Sequence, residues 1–181
     1  EAMLKEYMTR AFGNRIVRPK IMATLPVGLT ELQHHSLSNV VEAAGGRNVS
    51  VIESPLAIAF GLGLDFSKPH GYMIVDIGAG TTDIAVISLG GVVVSESIKV
   101  AGDRFNEAIA EYVRCRHDLL IGDTSAEQVK IRIGCLDDRM PRRTIEIKGR
   151  CLKTNMPRVI TLASTEMIEA MMDPISEVLD A

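Results

Sequence analysis

The turn around Gly78 carries the residues of this sequence that are best suited to chemistry. Gly78 and Gly80 flank a single alanine, and Thr81 and Thr82 follow them. Glycine permits positive φ and lets the main chain come close to another molecule. Consecutive amides in such a turn form a concavity that binds an anion, typically a phosphate. The threonines add hydroxyl donors, and Asp76 supplies a carboxylate that can hold a hydrated Mg²⁺.

Apolar segments on both sides of this turn predict two β-strands. Residues 73–75 run into Asp76 at the last strand position, and residues 84–89 are rich in β-branched side chains. The dinucleotide and Walker A glycine loops both lead into a helix, and a Walker A loop also ends in Lys followed by Ser or Thr. This turn leads back into a strand and is therefore neither of them. An ordinary hairpin, whose glycines serve turn geometry alone, is the alternative interpretation.

The elements before the hairpin predict a strand–helix–strand unit. Residues 2–12 have helical spacing, and residues 20–25 and 48–53 read as short strands. Between the strands, Thr30 and Gln33 have the spacing of a capping box that begins a helix. A parallel strand pair joined by a helix is the expected result.

A small apolar helix is predicted to connect this unit to the hairpin. Ser54 is expected to be its N-cap and Pro55 its first helical residue, with the helix continuing to Leu64. Because the helix is apolar on all sides, we expect it to lie between two layers.

Residues 92–94 and 97–100 are predicted to continue the sheet of the hairpin, and the chain after residue 101 predicts three helices and two strands. One helix begins at Gly102, and another follows a capping box formed by Thr124 and Glu127. Residues 142–149 and 158–162 alternate as two exposed strands. The last helix contains Pro174, which is expected to kink or restart it. Its methionine-rich stripe is more typical of a core than of a cofactor contact.

Composition limits the function classes. The chain has 181 residues, of which 46% are apolar and 24% charged, with a net charge of −3 and 4% aromatic residues. This composition is typical of a soluble globular protein and disfavours nucleic acid as a partner. No apolar run reaches the ~20 residues that span a bilayer. The three cysteines suit free thiols in a reducing cytosol. The first residue is Glu1, and we expect the chain to be a piece of a larger protein.

The segment around the turn resembles the second phosphate-binding loop of the MreB-type bacterial actins. The similarity runs through residues 75–89 and continues in the same order and spacing through residues 97–105 and 120–130. Residues 24–28 and 51–55 match upstream. The resemblance covers essentially the whole chain.

This resemblance implies an α/β fold, an incomplete actin-like ATPase (ribonuclease H-like) domain with a small α+β insert. Residues 1–63 would end the first actin-like domain and include the linking helix, and residues 64–102 would begin the second. Residues 103–162 would form the insert, and residues 163–181 the helix that returns to the second domain. ATP and Mg²⁺ would bind between the domains of the full-length protein, and this segment alone is expected to be empty.

The resemblance also assigns residues to the parts of the nucleotide. Asp76 would face Mg²⁺ through water. The β- and γ-phosphates would be held by Gly78, Ala79, Gly80 and Thr81. The ribose and adenine would be approached by Glu127, Gln128, Val129 and Lys130. Glu127 has an equal claim to a structural role, as the partner of Thr124 in the capping box.

Two residues depart from the pattern of the family. Ala79 replaces a common glycine, and alanine is accommodated if its φ is negative. Ser54 replaces the glutamate that positions the attacking water, and a hydroxyl has no useful basicity near neutral pH. We therefore expect slow ATP hydrolysis, since a positioned general base contributes about 10²–10⁴-fold. The alternative is that Ser54 is simply a good N-cap and another residue holds the water.

The function that the resemblance implies is that of a filament-forming bacterial actin. It would polymerise with ATP in the cytoplasm at the inner face of the cell membrane, bind proteins of the cell-wall elongation machinery and determine cell shape, without nucleic acid. Ile16 and Val17 fall where the family has a membrane-contacting loop, although a loop tucked onto the core is the simpler interpretation. A monomeric actin-like-fold ATPase of the sugar kinase or chaperone type is the alternative function. A module whose glycine turn is purely structural is the third.

Overall fold

The computed structural model describes residues 2–13, 18–65 and 68–181. These residues form two compact units. The first unit comprises residues 1–76 and 83–97, and the second comprises residues 77–82 and 98–181. Each unit has its own apolar core.

The first unit begins with the predicted strand–helix–strand arrangement. Its elements are α1 (Ala2–Phe12), β1 (Lys20–Leu25), α2 (Glu31–Ala43) and β2 (Arg47–Glu53). The strands β1 and β2 pair in parallel, with Ala23 opposite Val51. The predicted capping box is confirmed, because the Gln33 side chain accepts a hydrogen bond from the Thr30 amide at 2.8 Å and the Thr30 hydroxyl accepts one from the Gln33 amide.

The first unit continues with a helix and most of a three-stranded sheet. These elements are α3 (Ser54–Gly61), β3 (Tyr72–Ile77), β4 (Thr82–Ser88) and β5 (Gly91–Ile98), with β4 in the centre of the sheet. The core of this part consists of Ala59 from α3, Ile74 from β3 and Ile87 from β4. Since α3 also contacts β1 and β2, it lies between two sets of strands as predicted.

The start of α3 differs from the prediction. Glu53 is the N-cap, and Ser54 is the first residue of the helix. Pro55 therefore occupies the second helical position, where its missing amide still costs no hydrogen bond. The helix ends at Gly61, three residues earlier than predicted, and Asp76 is the second-last residue of β3 rather than the last.

The second unit packs three helices with a three-stranded antiparallel sheet. The elements are α4 (Gly102–His117), β6 (Leu119–Leu120), α5 (Asp123–Ile133), β7 (Thr144–Cys151), β8 (Pro157–Ala163) and α6 (Ser164–Asp180). The strand order is β6-β7-β8. The predicted exposed strands bury one face each, because Ile147 and Leu162 lie in the core. In the predicted methionine-rich stripe, Met171 is buried in this core, whereas Met172 is 49% exposed.

The structure tests two predictions about these helices, the capping box at Thr124 and the effect of Pro174 on the last helix. The capping box at Thr124 is wrong, since Gly122 is the N-cap of α5 and no side chain caps that helix. Pro174 lies inside α6, which is assigned as one helix of 17 residues and is not restarted at the proline. In the part of the chain that the structure describes, no helix is both long and apolar enough to cross a membrane.

Candidate functional site

The glycine loop, residues Ile77–Thr82, is a turn that belongs to the second unit. The Gly78 amide donates a hydrogen bond to the Thr81 carbonyl at 2.9 Å and so closes the turn. Gly78, Ala79 and Gly80 are exposed, and Thr81 is half-buried. No side chain therefore fills the apex of the loop.

The glycine loop does not use the positive φ that its glycines permit. Neither Gly78 nor Gly80 has a left-handed backbone, and neither does Ala79. Because φ at Ala79 is not positive, alanine is accommodated at this position, as expected from the sequence. A side chain on Gly80 would meet no atom within 4 Å. What glycine provides at position 80 is free space above the main chain, so that another molecule can approach the amides closely.

The carbonyl groups of the glycine loop are bound to the start of α4. The Gly102 amide donates to the Gly78 carbonyl at 3.0 Å, and the Asp103 amide donates to the Ala79 carbonyl at 2.7 Å. The first amides of a helix have no partner within the helix and must find one elsewhere. The loop supplies two such partners, and its position is therefore set by α4.

The amides of the same loop are left available. Within the second unit, those of Ala79, Gly80 and Thr81 donate no main-chain hydrogen bond. Three successive free amides on an open turn are a site for an anion such as a phosphate. The adjacent N-terminus of α4 adds its partial positive charge to the same region.

The hydroxyl of Thr82 is not part of this anion site. It donates to the Val100 carbonyl at 2.6 Å, and Thr82 is fully buried. The expectation that both threonines offer hydroxyl donors therefore holds at most for Thr81. Thr82 instead ties the end of the loop to the segment that leads into α4.

Gly102 allows α4 to approach the loop this closely. A methyl group on Gly102 would lie 3.1 Å from the Gly78 carbonyl oxygen, 3.2 Å from Lys130 Nζ and 3.5 Å from the Ala79 Cα. The amino-acid sequence indicates Gly102 only as the start of a helix. Its spacing from the glycine turn gives no signal of this contact.

Lys130 of α5 is bound to the same helix start. Its ammonium group donates to the Gly102 carbonyl at 2.8 Å, and the side chain is half-buried. The charge thus lies beside the glycine loop. The resemblance had assigned it to the ribose and adenine instead.

The other predicted adenosine residues on α5 differ in exposure. Glu127 and Gln128 are exposed, whereas Val129 is fully buried in the core. Val129 can therefore face a ligand only through its main chain. Since Gly122 rather than Thr124 is the N-cap, Glu127 has no capping role that competes with ligand binding.

The remaining predicted site residues lie elsewhere. Asp76 and Ser54 belong to the first unit, and both are half-buried. The competing explanation for Ser54, that it serves as the N-cap of α3, is wrong because Glu53 holds that position. Ile16 and Val17 lie outside the described residues.

Comparison with known proteins identifies the protein family of this chain. The profile of the MreB/Mbl protein family matches residues 1–181, the entire sequence. The chain belongs to the MreB/Mbl family. The actin-like α/β fold predicted from the sequence is confirmed by this match and by the structural similarity described next.

Individual relatives support the same assignment. The cell shape-determining protein MreB of Escherichia coli K12 is 42% identical over 183 residues, a span that covers 100% of this chain and 53% of that protein. The cell shape-determining protein Mbl of Bacillus subtilis is 36% identical, covering 100% and 55%. The crystal structure of MreB5 of Spiroplasma citri bound to AMPPNP matches with a TM-score of 0.92 at 35% identity, covering 99% of this chain and 54% of that one. The chain thus spans about half the length of the MreB and Mbl proteins that it matches.

The contact between the glycine loop and α4 can be tested at Gly102. In the Gly102→Ala variant, the added methyl group must displace the Gly78 carbonyl by a few tenths of an ångström. We expect this to weaken the two loop–helix hydrogen bonds by about 1 kcal/mol in total. The amides of residues 102 and 103 would then exchange with deuterium about fivefold faster, measured by NMR or mass spectrometry.

Gly122→Ala is the matched control, because Gly122 also stands at the start of a helix and its added methyl group meets nothing within 4 Å. Equal exchange at residues 102 and 103 in wild type and Gly102→Ala would show that the loop does not depend on close packing at this position.

Proposed function

We propose that the full-length protein binds ATP and assembles into filaments that determine cell shape. The observation that carries this proposal is the glycine loop, whose carbonyls are bound to α4 while three successive amides remain available. Such an arrangement suits the terminal phosphates of a nucleotide. Relatives that are named cell shape-determining proteins support the biological role.

The phosphates would be held by the loop that the sequence indicated. Gly78, Ala79, Gly80 and Thr81 would surround the β- and γ-phosphates, with the free amides as the donors. Two structures of MreB5 of Spiroplasma citri, one with AMPPNP and one with ADP, support a nucleotide as the ligand. Asp76, half-buried and next to the loop in sequence, would contact Mg²⁺ through water.

The adenosine side of the nucleotide would lie toward α5. Glu127 and Gln128 are exposed and available for polar contacts with the ribose and adenine. Val129 would contribute its main chain. Lys130 would either keep its hydrogen bond to the Gly102 carbonyl, adding positive charge near the phosphates, or exchange it for a ribose contact.

The predicted domain assignment remains part of the proposal. Residues 1–63 would complete the first actin-like domain, residues 64–102 would begin the second, residues 103–162 would form its insert and residues 163–181 would return to it. The nucleotide would then bind between the two actin-like domains.

The assembled protein would lie in the cytoplasm at the inner face of the cell membrane. Its partners would be further copies of itself in the filament and proteins of the cell-wall elongation machinery. A monomeric actin-like ATPase of the sugar kinase or chaperone type is the competing function, and only the polymerising protein forms large assemblies with ATP.

Sedimentation of the full-length protein tests the proposal directly. With ATP and Mg²⁺, we expect the wild type to pellet in high-speed centrifugation and the Gly80→Ala variant to stay in the supernatant. The methyl group meets no protein atom, so the fold should be retained, but it occupies space that a phosphate needs. Calorimetry should show that the Gly80→Ala variant binds ATP about tenfold or more weakly than the wild type.

Gly91→Ala is the control for this experiment, since Gly91 lies in β5 and its added methyl group also meets nothing within 4 Å. A wild type that binds ATP without pelleting would favour the monomeric ATPase. A wild type that binds no ATP would contradict the nucleotide site itself.

Hydrolysis is expected to be slow because Ser54 stands where the family has a glutamate. Substituting Ser54→Glu in the full-length protein should restore a general base and raise ATP turnover by about 10²–10⁴-fold. Phosphate release gives the rate. The Ser54→Gln variant is the control: glutamine is as long as glutamate but is not a base, so its ATP turnover should stay slow. An unchanged rate of ATP turnover in Ser54→Glu would refute this explanation.

Membrane contact through Ile16 and Val17 can be tested by flotation. We expect the full-length protein to float with liposomes rich in anionic lipids and the Ile16→Asp variant to float less, since a buried carboxylate opposes insertion of the loop tip. Ile16→Leu preserves the apolar character and should behave as wild type. If Ile16→Asp floats as well as the wild type, this loop makes no membrane contact.

A further inference from the structure

Asp83 is a buried carboxylate that the proposed phosphate contacts do not use. Its exposed fraction is 3%, and its Oδ1 atom has no hydrogen-bond partner. Removing a charged oxygen from water without giving it a partner is costly, and such groups are rare in folded proteins. We therefore expect a ligand to contact the Asp83 Oδ1 atom.

The hairpin places Asp83 directly opposite Asp76. The strands β3 and β4 are neighbours joined by a four-residue connection, so they pair antiparallel. The Gly78–Thr81 hydrogen bond sets the register at the turn. Counting back from that pair, Ile77 lies opposite Thr82, and Asp76 lies opposite Asp83.

The burial of the two strands agrees with this register. Ile74, Ala85 and Ile87 are buried, as expected for the face that Asp83 shares. Met73 and Val75, on the opposite face of β3, are 67% and 47% exposed. Residues directly opposite in an antiparallel pair have Cβ atoms about 4.5–5.5 Å apart, so the two carboxylates are close neighbours.

Among the residues that the structure describes, no lysine, arginine or histidine forms an ion pair with Asp76 or Asp83. The described residues also contain no cluster of three or more histidine, cysteine or acidic side chains suited to a metal. A site with only two carboxylates is what Mg²⁺ commonly uses, because it retains several waters and takes phosphate oxygens as further ligands.

We propose that Asp76 and Asp83 together hold one hydrated divalent cation of the Mg²⁺ type. The inference rests on the proposed nucleotide function and adds Asp83 to that site as the second carboxylate. The unpartnered Asp83 Oδ1 fits this role, since hard cations and their bound waters select carboxylate oxygens. Asp76 alone would supply a single charge, whereas the pair balances a divalent ion.

Titration of the nucleotide-free, full-length protein with Mn²⁺ tests the proposal. Free Mn²⁺ is measured by electron paramagnetic resonance at constant ionic strength. We expect one site in the wild type, from which Mg²⁺ displaces Mn²⁺ and K⁺ does not. Asp83→Asn and Asp76→Asn should each weaken Mn²⁺ binding about tenfold or more, because each removes one of two charged ligands. Glu96→Gln, which removes an exposed carboxylate from β5 of the same sheet, should leave binding unchanged.

Two results would overturn the proposal. One is Mn²⁺ binding by folded Asp83→Asn with the affinity of the wild type, which would indicate that the pair is balanced in another way, for example by a shared proton. The other is displacement of Mn²⁺ by K⁺ at equal concentration, which would exclude a divalent site.

Two further measurements keep the outcome clear. If Asp83→Asn does not fold, the smaller Asp83→Ser variant takes its place, with the same expected loss of Mn²⁺ affinity and the same overturning result. Nucleotide binding by the wild type in Mg²⁺ is measured in parallel. Normal nucleotide binding with unaltered Mn²⁺ affinity in Asp83→Asn refutes only the role of Asp83, whereas absent nucleotide binding refutes the proposed function.

Discussion

Two hydrogen bonds between the glycine loop and the first turn of α4 govern the architecture of the candidate site. The amides of Gly102 and Asp103 need acceptors because they begin a helix, and the carbonyls of Gly78 and Ala79 provide them. Once the carbonyls of a tight turn face one side, the remaining amides are free for a ligand. One requirement of helix formation thus creates the anion-binding geometry, and Gly102 is needed because a larger residue would crowd the contact.

Much of this arrangement was predictable from the sequence. The apolar segments around the glycine turn predicted the hairpin, and the spacing of Thr30 and Gln33 predicted the confirmed capping box. The resemblance to MreB-type actins predicted the fold and the family. These features depend on local patterns or on long matched segments, and both are visible in a single sequence.

Other features depended on contacts that local patterns do not encode. Ser54 and Thr124 are good N-cap residues, yet Glu53 and Gly122 occupy the caps, because tertiary structure decides where each helix begins. Glycine at position 80 permits positive φ, although the structure uses only its lack of a side chain. Likewise, the spacing of Lys130 on α5 could not reveal its bond to the Gly102 carbonyl, since these residues are 28 positions apart.

The helix that anchors the loop also spans the second unit. With 16 residues, α4 is about 24 Å long and ends at His117, which is 2.9 Å from Glu166 of α6. By geometry alone, a tilt of about 10° of a helix of this length about its first turn corresponds to a displacement of about 4 Å at its last turn. One continuous helix therefore joins the glycine loop to the contact between His117 and Glu166.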